Sequence, residues 1–215
     1  MHIEFLVEDL SGKKALEVLV PKIIGKHVTF RVHSYKGIGP IPRNMKDSAN
    51  PSKRILLTNL PKLLKGYGRT YGGPSKNYSA AVVLVCDLDD KDLNSFLAEL
   101  NTILHACHPK PTTRFCIAIE EGEAWFLGDL PAVRLAYPQA EQGILNSYVN
   151  DTICGTWEKL ADAIHHGGSR TLVRRGWQVV GAEKEKWARE ISPHMKVDIN
   201  NSPSFCFFRD SLRLL

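Results

Sequence analysis

The sequence predicts an α/β protein: a mostly parallel sheet of about four strands sandwiched by helices, with a helical C-terminal extension. Three observations carry that prediction. Strand-like and helix-like segments alternate four times up to about Tyr137. The two most apolar runs, 80–86 (AAVVLVC) and 115–119 (FCIAI), are continuous and not alternating, as in strands buried on both faces. Beyond about Gln142 no further strong strand pattern occurs, and helical spacing takes over.

Each element follows from its residues. The apolar run 3–7 reads as a first strand and ends in Glu8 and Asp9. Ser11 and Gly12 turn the chain into a helix with Ala15, Leu16, Leu19 and Ile23 as its buried stripe, which Pro21 is expected to kink or restart. Residues 27–34 (HVTFRVHS) alternate and are rich in branched side chains, the pattern of a second strand. Pro40, Pro42 and Pro51 mark 36–53 as a loop. Ile55, Leu56, Leu60, Leu63 and Leu64 then give helical spacing over about 54–65, and the glycine-rich stretch 66–79 reads as a loop. The third strand, 80–86, leads to a helix in which Leu93, Phe96, Leu97, Leu100, Ile103 and Leu104 form one face. Pro109 and Pro111 end that helix. The fourth strand, 115–119, runs into Glu120, Glu121 and Glu123. Residues 125–137 look helical with an interruption near Pro131, followed by helices at 156–165 and 183–191 and the tail SPSFCFFRDSLRLL. A core over 1–141 and a helical extension over 142–215 packed on it are expected to form one globular unit.

Composition narrows the function classes. The chain has 215 residues, 43% of them apolar and 24% charged, which fits a folded domain and not a disordered segment. No apolar run approaches the roughly 18 residues of a membrane span. The opening MHIEFLVEDL carries acids where a signal peptide carries basic residues, so a cytoplasmic protein is expected. Cys86, Cys107, Cys116, Cys154 and Cys206 are odd in number and contain no CxxC pair, so they are expected as free thiols, not as a zinc site. The net charge is +5, and the basic residues gather in 36–69 and 169–186, either as solvated faces or as a phosphate-facing surface.

The stretch VVLVCDLDD carries the chemistry. It drives the most hydrophobic strand into three aspartates, and in a parallel sheet ligands bind outside the carboxyl ends of the strands. Glu8 follows the first strand, Asp87 and Asp89 the third, and Glu120, Glu121 and Glu123 the fourth. Carboxylates brought to one edge repel unless a cation neutralises them. Mg²⁺ or Mn²⁺ suits such oxygen ligands and keeps waters for a phosphate substrate. In extended backbone Asp87 and Asp89 would point to the same side. Asp89 or Asp90 is also expected to cap the next helix. Trp125 reads as a core anchor, Asp129 as a cap before Pro131, and the pair His165–His166 as a helix end. His33, beside Lys36, is a candidate phosphate contact. Ser11 and Ser204 have no readable His/Asp partners for a nucleophilic triad.

The pattern strand–Glu, strand–DxD with helical cover resembles the Toprim catalytic domain of topoisomerases, bacterial primases and nucleases of the overcoming-lysogenization-defect type. IEEGEAWFLGD is similar to the EAW-Leu-x-Asp signature of a Toprim-like bacterial family of undefined function, and EKEKWAREISPHMKVDINNSPSF is similar to that family's C-terminal end. The resemblance implies Glu8 as general base or metal ligand, and Asp87 and Asp89 as metal ligands. It implies Glu123 as the signature glutamate, with Glu121 and Glu120 as alternates, and Lys184 as a phosphate-stabilising lysine. It also implies an ABC- or AAA-type ATPase partner and a part in phage defence. The chain departs from the usual Glu-Gly of the motif: Asp9 follows Glu8, and glycine waits until Gly12.

The expected activity is therefore metal-dependent phosphodiester hydrolysis, a nuclease acting on DNA or RNA. Glu8, Asp87, Asp89, Glu121 and Glu123 would serve Mg²⁺ or Mn²⁺, with Lys36, Arg174 and Arg175 as substrate contacts. The alternative is a non-catalytic Toprim-like module that binds an ATPase or nucleic acid. A phosphotransferase with an aspartate nucleophile, as in the haloacid dehalogenase family, fits less well: Asp90 and Lys91 follow the DxD, which lies on a late strand.

Overall fold

The computed structural model describes residues 1–25, 27–42, 53–72, 79–152 and 155–215. Strands β1 (His2–Val7), β2 (Thr29–Ser34), β3 (Ala80–Asp87) and β4 (Thr113–Ala118) form a wholly parallel sheet in the order β2-β1-β3-β4. β3, the Val/Leu run, is buried everywhere except its two end residues, as its unbroken apolar sequence requires. The register places Val7 against Ser34 on one side and Val85 on the other, and Asp87 against Ala118.

Side-chain alternation divides the core into two layers. Ile3, Phe5, Val7, Val83, Val85 and Cys116 face α1 (Leu10–Ile24) and the helices of the C-terminal half. Leu6, Val82, Leu84, Cys86 and Ile117 face α2 (Leu56–Tyr71) and α3 (Leu93–His105). The C-terminal half runs through α4 (Glu123–Leu127), α5 (Leu130–Ala136), α6 (Gln142–Asn146) and α7 (Thr156–Ile164), then α8 (Gly168–Arg175), α9 (Trp177–Ile191) and α10 (Pro203–Arg213). Its Trp187, Ile191, Phe205 and Phe208 belong to the same buried cluster as Phe5 and Leu16.

Several sequence expectations are corrected. α1 continues through Pro21, which sits on the exposed side of its last turn, where water can serve the carbonyl that proline cannot reach. The glycine-rich stretch is helical as far as Tyr71. There Tyr67 and Tyr71 stack at 5.9 Å, and a Cβ on Gly68 would lie 1.9 Å from the Pro109 carbonyl oxygen. Gly68 is thus a close-approach residue inside a helix, not a turn. Neither Asp89 nor Asp90 caps α3: Asp92 does, accepting from the Ser95 N–H at 2.8 Å. The interruption expected near Pro131 is present: 125–137 is two helices, broken at Gly128 and Asp129, with Pro131 in the first turn of the second. α6 and α8 were not anticipated, and α9 starts six residues before position 183. α8 escapes notice because only Ser169 and Leu172 are buried along it. α7 does end at His165. Cys86, Cys107, Cys116 and Cys206 are free thiols. Pro51, Cys154 and residues 73–78 lie outside the described residues. No described helix is long and apolar enough to cross a membrane.

Candidate active site

The sheet order creates the site. The connections from β1 and β2 carry the chain first to one side of β1 and then to the other, so a crevice opens outside the carboxyl ends of β1 and β3. Glu8 leaves the end of β1 and Asp87 ends β3 in this crevice. The Asp87 N–H donates to Glu8 Oε2 at 3.4 Å across a separation of 79 residues. A cleft of about 50 Å³ is lined here by Glu8, Asp9, Ser11, Asp87, Glu123 and Lys184, room for a few waters or an ion.

Asp9 and Gly12 explain how the chain manages without the usual Glu-Gly turn. Asp9 caps α1, its Oδ1 accepting from the Gly12 N–H at 2.7 Å, and a Cβ on Gly12 would approach that oxygen to 3.3 Å. The helix therefore starts immediately behind Glu8 and holds its backbone. Ser11, in the first turn, donates through Oγ to the Lys184 carbonyl at 3.1 Å and fixes α9 against α1.

Lys184 reaches the crevice from α9. Its Nζ lies 3.1 Å from Glu123 Oε2 and 3.4 Å from Glu121 Oε1. Glu123 is only 2% exposed in the first turn of α4. Gly122 passes close by, a Cβ there lying 3.8 Å from Asp87 Oδ1. Four carboxyl groups thus crowd round one ammonium, which pairs with only two of them, Glu121 and Glu123. Burial pushes Glu8 up to about 7, with Asp89 and Asp9 adding to the rise and the Asp87 N–H and Lys184 opposing it. Burial and then Glu8 hold Asp87 well above the ordinary aspartate range. Burial also lifts Glu121 to about 7 and raises Glu123, against the pull of Lys184. Burial alone would lower Lys184, but Glu123, Glu121 and Asp87 more than reverse it, so the lysine is firmly cationic.

The other acids are placed differently. Asp89 is not in extended backbone beside Asp87: its φ is +51°, and its Oδ2 pairs with Lys91 Nζ at 2.7 Å on the half-exposed rim. Glu120 is turned away altogether. Its oxygens accept from the N–H groups of Gly155 (2.6 Å) and Thr156 (2.7 Å) and from the Thr156 hydroxyl, so it caps α7. Glu121 Oε2 also accepts from the Trp157 N–H at 3.2 Å. Lys36 is exposed next to Gly37, whose N–H donates to the Glu8 carbonyl at 3.2 Å. Arg174 and Arg175 close α8 on the surface, and among the described residues neither forms an ion pair with the crevice acids. His33 is occupied by Glu4, its Nε2 lying 2.7 Å from Glu4 Oε2. Trp125 is a core anchor, 4% exposed, with its indole N–H donating to Ser204. Asp129 caps α5 and also accepts from the Lys196 N–H at 2.7 Å.

Among the described residues no group of three or more His, Cys, Asp or Glu side chains is placed to hold a metal ion, so the five carboxylates expected as ligands do not converge on one point. The Lys184 ammonium stands between Glu121 and Glu123, and Asp89 is turned to Lys91 on the rim. Sequence reasoning missed Ser11 and Asp9 as positioning residues. The acid-then-glycine spacing of a helix start was the available signal for Asp9, whereas the bond from Ser11 to a residue 173 positions away had none. Compared with known proteins, the chain gives no significant match to any protein-family model, curated protein or solved structure.

Proposed function

We propose that the protein is a Toprim-like, metal-dependent phosphodiesterase, a cytoplasmic nuclease acting on DNA or RNA. One observation carries this reading: Glu8 and Asp87, from neighbouring strands, share a crevice with Lys184 at the carboxyl edge of a parallel sheet. A hard divalent cation, Mg²⁺ or Mn²⁺, fits the donor set. The oxygens of Glu8 and Asp87 are short of positive charge, since Lys184 is committed to Glu121 and Glu123. Asp89 can join from the rim by releasing Lys91. When bound, such an ion polarises a phosphoryl oxygen and makes its water more acidic. Glu121 and Glu123 hold the Lys184 ammonium towards the cleft, where it offsets charge on the phosphate. Lys36, Arg174 and Arg175 contact flanking phosphates. The family resemblance adds an ABC- or AAA-type ATPase partner and a role in phage defence to the proposal.

The test is cleavage of labelled DNA and RNA with Mg²⁺ or Mn²⁺. Asp87→Asn is expected to lower the rate by about 10²-fold or more, and cleavage by that variant at the wild-type rate would remove the assignment. The pre-formed pairing of Lys184 with Glu121 and Glu123 favours a second reading, a non-catalytic module that binds an ATPase or nucleic acid. Calorimetric titration with Mg²⁺ and Mn²⁺ separates the two, because the module gives no heat of binding.

A further inference from the structure

Trp177, the first residue of α9, is 70% exposed, although a ring of that size is normally among the most buried on a protein. Its ring meets Trp157 edge-on, with centroids 6.2 Å apart and planes at 65°, and Trp157 is itself buried. The backbone N–H of Trp157 donates to Glu121, which pairs with Lys184. The exposed ring is therefore linked to the crevice through a short chain of contacts. It also lies seven residues before Lys184 on one helix, hence on the same face and about 10 Å along the axis. Arg170, Arg174 and Arg175 are exposed on α8, directly before Gly176 and Trp177.

We infer that Trp177, braced by Trp157, is a stacking platform for an unpaired base of single-stranded nucleic acid, with the α8 arginines on the adjoining phosphates. The inference rests on the phosphodiesterase reading only for placing the scissile phosphate near Lys184; the platform stands on its own geometry. An indole face accepts any base, and guanidinium groups complement the backbone charge, which is the chemistry of sequence-tolerant single-strand binding. A duplex hides its base faces and gains nothing from the ring. The separation from Lys184, about 10 Å along the helix axis, suits a base held one or two nucleotides from the bond to be cut.

The experiment is fluorescence anisotropy with labelled homopolymers of thymidine and of uridine, and with a duplex, in EDTA so that no cleavage occurs. Wild type is expected to bind the single strands more tightly than the duplex, and the two homopolymers tell DNA from RNA. Trp177→Ala is expected to weaken single-strand binding about 5- to 100-fold while leaving duplex binding unchanged, and Trp177→Phe to restore most of that affinity. Arg174→Gln is expected to flatten the dependence of log affinity on log salt by about 0.7, the slope that one neutralised phosphate contributes on a single strand. Equal single-strand affinity of wild type and Trp177→Ala, with unchanged circular dichroism, overturns the inference, as does tighter binding to the duplex. Trp177-dependent binding without any metal-dependent cleavage would count against the nuclease reading alone.

Discussion

Lys184, its side chain 15% exposed, lies between the partly exposed Glu121 and the buried Glu123, and neither carboxylate has a second cation within ion-pair distance among the described residues. Replacing one partner of a buried pair leaves the other charge without compensation, typically at about 3–5 kcal/mol. Lys184→Met, which keeps the stem and removes the charge, is expected to destabilise the protein by that amount at pH 8. Adding Glu123→Gln should recover part of the loss, and denaturant titration of the two variants measures both. Glu8 gives a second expectation at this scale. Its folded value of about 7 lies above the ordinary 4.5, so the folded state binds its proton more tightly than the unfolded chain. The resulting stabilisation is fully present below about pH 4.5 and is lost as pH rises through 7. With EDTA present, the melting temperature should fall across that window, and Glu8→Gln should make the fall shallower, leaving the share that Glu121 contributes over the same range. A melting temperature equally pH-dependent in Glu8→Gln would show that Glu8 is not the group responsible.

At the level of elements, Glu120 joins the end of β4 to α7. Gly155 at the head of α7, with φ +70°, has no side chain with which to cap, and Glu120 supplies the missing acceptor from 35 residues away. Glu120→Ala should cost about 1–2 kcal/mol, the usual loss for a helix cap, and Glu120→Gln less because it keeps one acceptor oxygen. Urea midpoints of the two variants check the order. This bond also shows where sequence reading stops. The strands, the parallel sheet and the acids at their ends were legible because burial on both faces leaves continuous apolar runs and because charge at a strand end is local. The division of labour among Glu120, Glu121 and Glu123 was not, since it depends on which of them meets α7 and which meets Lys184. The cap of α3 was misread by two or three residues for a similar reason. A left-handed turn at Asp89 delays the helix to Asp92, and neighbouring aspartates look alike until the backbone is traced. Residues 66–71 misled because glycine there answers to the approach of Pro109 across the molecule, not to local chain geometry.

Across the whole molecule, the C-terminal helices are bound to the sheet by an aromatic block. The Phe208 ring lies 4.8 Å from Trp125 and nearly parallel to it, while Phe5 of β1 and Phe205 pack at 6.3 and 6.1 Å from Phe208. Hydrogen bonds reinforce the block: Trp125 donates to Ser204, and Asn200 donates to the Trp125 carbonyl at 2.8 Å. Trp125 stands two residues after Glu123 in α4, so α10 supports the helix that carries a crevice carboxylate. The first strand, α4 and the C-terminus are thus parts of one packed layer, and they should unfold together. Phe208→Ala, which empties a fully buried position, is expected to cost about 3–5 kcal/mol. Equilibrium urea unfolding should show tryptophan fluorescence and far-ultraviolet circular dichroism changing at a single midpoint, lowered in the variant but still coincident. If α10 were instead a loosely attached appendage, the variant would lose part of its helical signal early, and the remainder would unfold at the wild-type midpoint. That outcome would also separate the crevice from its C-terminal support, because Glu123 would then keep its pairing with Lys184 after α10 had left.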